Sequence, residues 1–405
     1  MDGPLTGIRI VDLSTVVMGP YATRILGDYG ADIIKVEKPG GDTSRQITPM
    51  RNPRMGAPFI HLNRNKRSIQ LDVRQPAGLE VLLKLVEDSD VFFTNIRPKA
   101  LAKLGLESEA LRERNPQLIT VAMTGFGQDG RYAADPAYDD LVQGLCAVPS
   151  LQQSAGCDVP RYVPLAFTDR SVGLHAAIAT LAAVVHRHRT GEGQAIEIPM
   201  FETMVDQVLG DHMGGMTFDP PNAAPGYMRL LASERRPCPT SDGYVCALIY
   251  SDRDWHRFAQ IIGRPTLLQD DPRFSSAGER TDHADFVSRF VAEQTVEKST
   301  EEWIKLLREA DIPVAPLHTL ESLFDDPHLQ DVGFFQACEH PTEGRIRQMD
   351  FPSKWSSTPP STRYFAPQLG EHSVEILAEL GLDSESITEL LESGVVGEEC
   401  SPSSK

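Results

Sequence analysis

Apolar and polar positions alternate and then merge into an apolar run in GIRIVDLS (residues 7–14). They take up helical spacing through GPYATRILGDYG (19–30) and return to a strand-like run in ADIIKVEKP (31–39). The strand, helix, strand order repeats. SIQLDV (68–73) reads as a strand, GLEVLLKLVEDS (78–89) as a helix, and DVFFTN (90–95) and LITVAMTGFG (118–127) as two more strands. Such alternation predicts a parallel sheet covered by helices, hence an α/β fold. The glycines of the first turn do not make Gly-x-Gly-x-x-Gly, so the dinucleotide fingerprint is missing where it would sit.

A long helical pattern from Ser171 to about His188 is followed by the turn TGEGQ, the strand AIEIPM and a helix starting near Phe201. FDPPNAAPGYMRLLASERRP (218–237) is proline-rich and aperiodic and reads as a connection. A different unit then opens with the hairpin pattern CPTSDGYVCALIY, where Asp242-Gly243 is a turn signal. Helices at DWHRFAQIIG, HADFVSRFVAEQ and TEEWIKLLREA and a strand at VAPLH complete it. The tail carries a strand-like region and two short helices separated by Gly381, and ends in SPSSK, which reads as disordered. The expected organisation is a large domain over residues 1–224, a smaller α+β domain over 225–325, and a segment 326–405 that returns to the large domain.

Composition and charge narrow the chemistry. The 405 residues are 40% apolar, with no run of about 18 apolar residues and no signal-like N-terminus, so a soluble, unprocessed chain is expected, with no membrane partner. The six cysteines (Cys146, Cys157, Cys238, Cys246, Cys338, Cys400) form no Cys-x-x-Cys pair, which fits a reducing cytoplasm and disfavours disulfides and structural zinc. A net charge of −18 disfavours nucleic acid. The charge is uneven. Residues 1–115 hold 17 Lys/Arg against 14 Asp/Glu, and between Arg45 and Arg74 seven bases face the single acid Asp72. Two readings fit that island: a phosphorylated or carboxylated small ligand, or bases that are solvated or paired with acids elsewhere in the chain.

Common catalytic signatures are missing. His186 and His188 lie two apart and suit a helix C-terminus, and neither His-x-x-x-His nor His-Glu-x-x-His occurs. Gly-x-Ser-x-Gly and the phosphate loop Gly-x-x-x-x-Gly-Lys-Ser/Thr are missing too. A carboxylate remains as a nucleophile candidate. VPLAFTDRSVG (163–173) places Asp169 just before the long helix. Thr168 or Asp169 could simply be the helix N-cap, the commoner role for such a residue. The same position would hold a carboxylate at the positive helix end, with the small residues Gly173, Ala176 and Ala177 behind it.

The segment from Asp169 and Gly173 to RTGEGQAIEI resembles the nucleophile motif of the class III coenzyme A transferases, the formyl-CoA transferase and carnitine CoA-transferase family. The resemblance extends through LSTVVMGPYATRILGDYGADIIKVEKPGGD, LNRNKRSIQLDV, TNIRPKALAKLGL, NPQLITVAMTGFGQDG with AYDDLVQG, TSDGYV, IPVAP, DDPHLQ and LGEHSVEILAELGL, in family order. It implies a Rossmann-like large domain, a small domain, and a homodimer of interlinked rings. It also implies coenzyme A contacts at Val17, Met18, Lys38, Leu71, Asp72, Val73, Arg74, Asn95, Ile96, Arg97, Lys103 and Tyr138. Among these, Lys38, Arg74, Arg97 and Lys103 are bases suited to nucleotide phosphates.

The implied activity moves coenzyme A from an acyl-CoA to a small carboxylic acid through an aspartyl-CoA thioester on Asp169, with Asp139 as a possible auxiliary and no metal or permanent cofactor. Three features depart from the family pattern. Arg97-Pro98-Lys99 stands where Arg-Pro-Gly is common, and IYSDRD (249–254) has no glycine where a lid loop would fall. Ala137-Tyr138-Asp139 stands where the acyl-CoA racemases of the family resemble Gly-His-Asp, so the histidine base of that alternative is missing. A non-catalytic coenzyme A binder is the other alternative. Arg229, Arg235 and Arg236 could meet a dicarboxylate, or serve chain contacts.

Overall fold

In the computed structural model, which describes residues 3–398, the chain forms two compact units. One takes the chain up to Val142, Pro164–Val205 and the segment from Asp331; the other takes Gln143–Val163 and Asp206–Gln330. These cuts differ from 1–224, 225–325 and 326–405. Gln143–Val163 and residues 206–224 group with the smaller unit, where a Cβ on Gly156 would lie 3.0 Å from the Ser233 Cβ.

The larger unit is built on strands β1 (Arg9–Asp12), β2 (Asp32–Glu37), β3 (Lys66–Leu71), β4 (Val91–Thr94), β5 (Ile119–Thr124) and β6 (Ala195–Pro199). They run parallel in the order β3-β2-β1-β4-β5-β6, and the two-residue strand Val396–Gly397 adds an antiparallel edge beside β3. This is the doubly wound order, with its reversal between β1 and β4. Most strand positions are buried, because helices cover both faces. Val11, Ile34, Ile69, Phe92, Leu82, Leu85 and Ile376 pack into one core with Val396.

Sequence periodicity starts the third strand at Ser68, because Lys66 and Arg67 look like loop residues. Both lie inside β3, each neutralised internally: Lys66 Nζ donates to Asp12 at 3.0 Å, and Arg67 bonds Asp32, Glu375 and Glu379. The rest of the basic island behaves the same way. Arg45 forks onto Glu37, Arg64 onto Asp28 and Arg74 onto Asp72, while Arg51 donates to the backbone of Glu343. The island is therefore largely a structural lattice, and pairing with acids elsewhere, the second of the two readings, describes it.

A buried ionic layer lies at the carboxyl ends of β1 and β2, and Lys66 reaches it from the first residue of β3. Asp12 accepts from the Ser14 amide (3.0 Å), the Thr23 hydroxyl (2.7 Å) and Lys66. Asp42 accepts from Lys35 Nζ (3.0 Å), from the Ser44 amide (2.9 Å) and from the Val16 amide (3.1 Å). Burial pushes the Asp12 carboxyl up, but Lys66 and Lys35 outweigh it and hold it at about 2. Asp42 is likewise held below the usual carboxylate range, burial being overcome by Lys35 and Ser44.

The smaller unit has an antiparallel sheet of Cys238–Pro239, Tyr244–Ala247 and Val314–Pro316, with the Asp242-Gly243 turn closed by the Thr240 amide on Gly243 O (2.9 Å). Trp255, Phe258, Phe274, Phe290 and Trp303 fill its core. The helices Asp252–Ile261, Ala284–Thr295 and Thr300–Glu309 match the expected ones. Ser251 and Asp254 form a capping box, so IYSDRD is a tightly tied helix start. The terminal SPSSK and Cys400 lie outside the described residues; the five described cysteines are free thiols.

Asp42→Ala would leave Lys35 buried without its carboxylate and the Val16 and Ser44 amides without acceptors. It is expected to lower unfolding free energy by about 3–5 kcal/mol, whereas Lys38→Ala on the exposed loop changes it by less than about 0.5 kcal/mol. Urea unfolding of the two variants measures the contrast.

Candidate active site

The loop Ser14–Val17 leaves β1 without a glycine, yet Val16 takes a left-handed φ of 71°, where a β-branched residue is strained. Two side chains hold it there. Asp42 accepts the Val16 amide, and Asn95, just beyond β4, clamps Thr15 from both sides: its Oδ1 accepts the Thr15 N–H (3.0 Å) and its Nδ2 donates to the Thr15 carbonyl (2.9 Å). The loops after β1 and β4 are thereby tied together at the point where the strand order reverses, the place where open α/β sheets bind ligands.

A cleft of about 210 Å³ opens there. Thr15–Met18, Asn95, Arg97, Tyr138 and Asp169 line it, joined by Met123, Thr124, Gln128, Asp135 and Met200. Of the expected coenzyme A contacts, Val17, Met18, Asn95, Arg97 and Tyr138 are therefore in the cleft. Lys38, Arg74 and Lys103 are exposed outside it. Leu71 is fully buried in the sheet core, Ile96 packs against the same core, and Val73 does so too, so these offer a ligand no free side chain. Asp72 serves as the partner of Arg74. The lining residues that the resemblance does not single out share one signal, which is their place after the carboxyl end of β1 (Thr15, Val16) or at or after those of β5 and β6.

The long helix begins at Phe167, four residues before the sequence pattern, and runs to Thr190. Its N-cap residue is Ala166, which has no side chain to cap with, so neither Thr168 nor Asp169 is the cap. The capping acceptor comes from another segment: Asp139 Oδ2 receives the Asp169 amide at 2.9 Å. With its own N–H bound by that carboxylate, Asp169 sits in the first helical turn with its side chain toward the cleft.

The position is possible because Gly173, one turn on, faces Met18. A Cβ there would lie 2.7 Å from the Met18 carbonyl oxygen, so only glycine lets the helices Met18–Asp28 and Phe167–Thr190 come this close. Burial and the neighbouring Asp139 charge push the Asp169 carboxyl up to about 7, and Arg170 opposes them. The contrast with Asp12 is complete: one carboxylate has cations and donors around it, and the other has an acid.

The smaller unit holds a larger cavity, about 850 Å³, lined by Arg229, Arg235, Arg236, Cys238, Cys246 and Trp255 among others. Arg229 stacks on Tyr250 at 5.2 Å and Arg236 pairs with Glu234 at 3.0 Å. Burial raises the Cys238 thiol and holds it un-ionised, so size alone does not make this cavity the reacting centre. Among the described residues no three His, Cys, Asp or Glu side chains are grouped to hold a metal ion, and no helix is long and apolar enough to cross a membrane.

These features coincide with a family match. Residues 5–373 fit the model of CoA-transferase family III, and the chain belongs to that family and is a CoA-transferase. It is 32% identical to the succinate–glutarate CoA-transferase of Agrobacterium fabrum, over 93% of this chain and 96% of the relative. It is 33% identical to the succinyl-CoA:mesaconate CoA-transferase of Haloarcula hispanica (94% and 97%) and 31% identical to a formyl-CoA:oxalate CoA-transferase of Escherichia coli (96% and 98%). Among solved structures, a CaiB/BaiF family protein from Brucella suis superposes with a TM-score of 0.78 at 29% identity, covering 94% of this chain and 100% of that one.

The raised Asp169 carboxyl gives signed expectations. A folded-state value above the ordinary one means that the protonated form is favoured by folding, so stability is lost as pH rises from about 4 towards 7. Asp169→Asn removes that dependence, so its stability relative to the parent should grow by about 2 kcal/mol between pH 5 and pH 8, read from paired denaturation curves. For a transfer that uses the ionised Asp169 carboxylate, kcat/KM is expected to climb with pH and level off above about 7.5. Asp139→Asn keeps an acceptor for the Asp169 amide but removes the charge, and should move that rise to lower pH.

Proposed function

We propose that Asp169 is the nucleophile of the transfer and carries coenzyme A as an aspartyl thioester between donor and acceptor. Its carboxylate oxygen attacks the thioester carbonyl of an acyl-CoA, and the C–S bond breaks to give a mixed anhydride and the CoA thiolate. The thiolate attacks the aspartyl carbonyl of the anhydride, and the donor acid leaves as its carboxylate. The acceptor carboxylate then attacks the aspartyl thioester, and the returning thiolate takes the acyl group of the second anhydride, regenerating free Asp169. One thioester replaces another, so no net proton, electron or nucleotide is consumed.

A single observation carries this reading. Burial and Asp139 outweigh Arg170 at the carboxylate in the cleft, which is raised to about 7 and is fixed by its own amide on Asp139. A weakly stabilised carboxylate is the better nucleophile, and it is still ionised enough at neutral pH to react. The amide N–H groups of the Thr124–Gly125 stretch, beside the cleft, are the candidate donors for the oxyanions, each worth about 3 kcal/mol in comparable acyl transfers.

The acyl end and pantetheine thiol would lie in the cleft among Val17, Met18, Asn95 and Tyr138, with Arg97 at its mouth. The nucleotide phosphates would meet the exposed Lys38, Arg74 and Lys103. The donor and acceptor are a small acyl-CoA and a small carboxylic acid; the names of the relatives favour dicarboxylates such as succinate and glutarate. A homodimer of interlinked chains is part of the same reading. It is supported by the exposed apolar row Leu174, Ile178 and Val185 on the nucleophile helix, 47, 65 and 58% accessible, a face that calls for a covering partner. A racemase reading finds no histidine base beside Asp139, where Tyr138 is 75% exposed.

Asp169→Ala and Asp169→Ser should each lose at least 1,000-fold in transfer between succinyl-CoA and a panel of carboxylic acids, with circular dichroism unchanged. Hydroxylamine should inactivate the parent enzyme only after acyl-CoA is added, and quenched intact-protein mass should show a coenzyme A adduct on the Asp169 peptide. Undiminished turnover by the alanine variant would refute the nucleophile and leave coenzyme A binding as the function of the cleft.

A further inference from the structure

The smaller unit keeps an opening into its own core. Trp255, Val287, Val291 and Cys238, all buried members of that core, form one wall of the cavity of about 850 Å³. The strands Tyr244–Ala247 and Val314–Pro316 and the helices Ala277–Asp282 and Ala284–Thr295 contribute the others. Sites that take small organic ligands typically enclose about 300–1,000 Å³, and they combine an apolar wall with a few fixed polar groups. The cavity shares no lining residue with the cleft of Asp169.

Four arginines line the same space, and the chain provides acids for two of them. Arg280, itself buried, donates to the Phe274 carbonyl at 2.8 Å and to Asp252. Arg236 pairs with Glu234 at 3.0 Å, and Glu234 is shared with Arg289 at 3.4 Å. The neighbouring Asp285 is occupied as well, accepting the Ser233 hydroxyl and the Glu234 amide, both at 3.1 Å. Arg229 and Arg235 are left over. Among the described residues neither has a carboxylate within ion-pairing distance, although both border the cavity. Arg229 is nonetheless oriented, because its guanidinium stacks over the Tyr250 ring at 5.2 Å. A stacked guanidinium keeps the donors along its edge available, and two of them in one plane match the two oxygens of a carboxylate.

We propose that this cavity is a binding site for a carboxylic acid with an apolar body, its carboxylate on Arg229 and Arg235 and its body against Trp255, Val287 and Val291. The two halves of the lining select the ligand together. A short dicarboxylate held by the arginines would leave the apolar wall uncovered, and a neutral hydrocarbon would leave the arginines unmatched. An acid with a medium-length chain or a ring satisfies both. The inference does not rest on the aspartyl mechanism, since none of these residues takes part in it.

Binding of octanoate to the full chain, measured by calorimetry, tests it. The same titration is made with Arg229→Gln, alone and combined with Arg235→Gln, and with Ser288→Phe, which fills the cavity from a half-buried position on Ala284–Thr295. Arg97→Ala, which alters the cleft of Asp169, is the control. Neither Arg229 nor Arg235 is fully buried, so the glutamine variants should fold, which circular dichroism checks. One octanoate should bind per chain, with affinity at least tenfold lower in Arg229→Gln and in Ser288→Phe, lower again in the double variant, and unchanged in Arg97→Ala. Octanol, which lacks the carboxylate, and succinate, which lacks the apolar body, should each displace octanoate at least tenfold less effectively than unlabelled octanoate displaces a labelled sample. The absence of saturable binding, binding lost only in Arg97→Ala, Arg229 variants that match the parent, or octanol competing as well as octanoate would overturn the proposal.

Discussion

The buried pairing of Asp42 with Lys35 is the contact on which the cleft depends. The loop after β1 carries no glycine, yet the fold needs Val16 in a left-handed conformation that costs a β-branched residue on the order of 1–2 kcal/mol. The Asp42 carboxylate supplies the compensation because it stays ionised: Lys35 neutralises it while it takes the Val16 and Ser44 amides. Asn95 makes the second attachment, through Thr15. In nucleotide-binding relatives of this sheet order a glycine-rich turn brings the backbone to the ligand. Here a valine does so, and side chains from β2, the loop after it, and β4 hold it in position.

The same sheet end contains carboxylates in opposite states. Asp12, Glu37 and Asp42 are buried among Lys66, Arg45 and Lys35 and held acidic, so they are inert and structural. Asp169 is partly buried beside another acid and pushed toward neutrality. Burial raises all four; what separates them is whether cations were brought in with the acid. The basic stretch Arg45–Arg74 therefore serves the structure chiefly by making its own acids unreactive, which leaves the unpaired Asp169 chemically distinct.

This division explains what could be read from the sequence. The parallel sheet, the hairpin unit and the two C-terminal helices were visible in the hydrophobic period, because apolar residues alternate or run where strands and helices bury them. The extra turn at the start of the helix Phe167–Thr190 was not, since Thr168 and Asp169 read as N-cap residues placed the start too late and the acceptor, Asp139, lies 30 residues away. The true extent of β3 was hidden by Lys66 and Arg67, whose charges are cancelled by partners as distant as Glu379. Charge counting alone could not separate a ligand pole from a lattice, because the acids that complete the lattice are scattered from Asp12 to Glu379. Asp169 was singled out by the motif. Its environment came from the fold.

The glycine at 173 links these observations. The side chain it lacks would strike the Met18 carbonyl, so the helices touch there, and that contact fixes Asp169 one turn away on the cleft side and Arg170 on the other. A helix turns 100° per residue, so neighbouring residues in its first turn must face different surroundings. Asp169 faces a cleft with an acid beside it, and Arg170 faces Tyr21 and a group of cations. Arg170 is also the one charge that opposes the rise of the Asp169 carboxyl, so the two neighbours act on each other through the first turn as well as on their separate surroundings. Placing both on one turn gives each residue a fixed position relative to the other, one toward the cleft and one toward Tyr21.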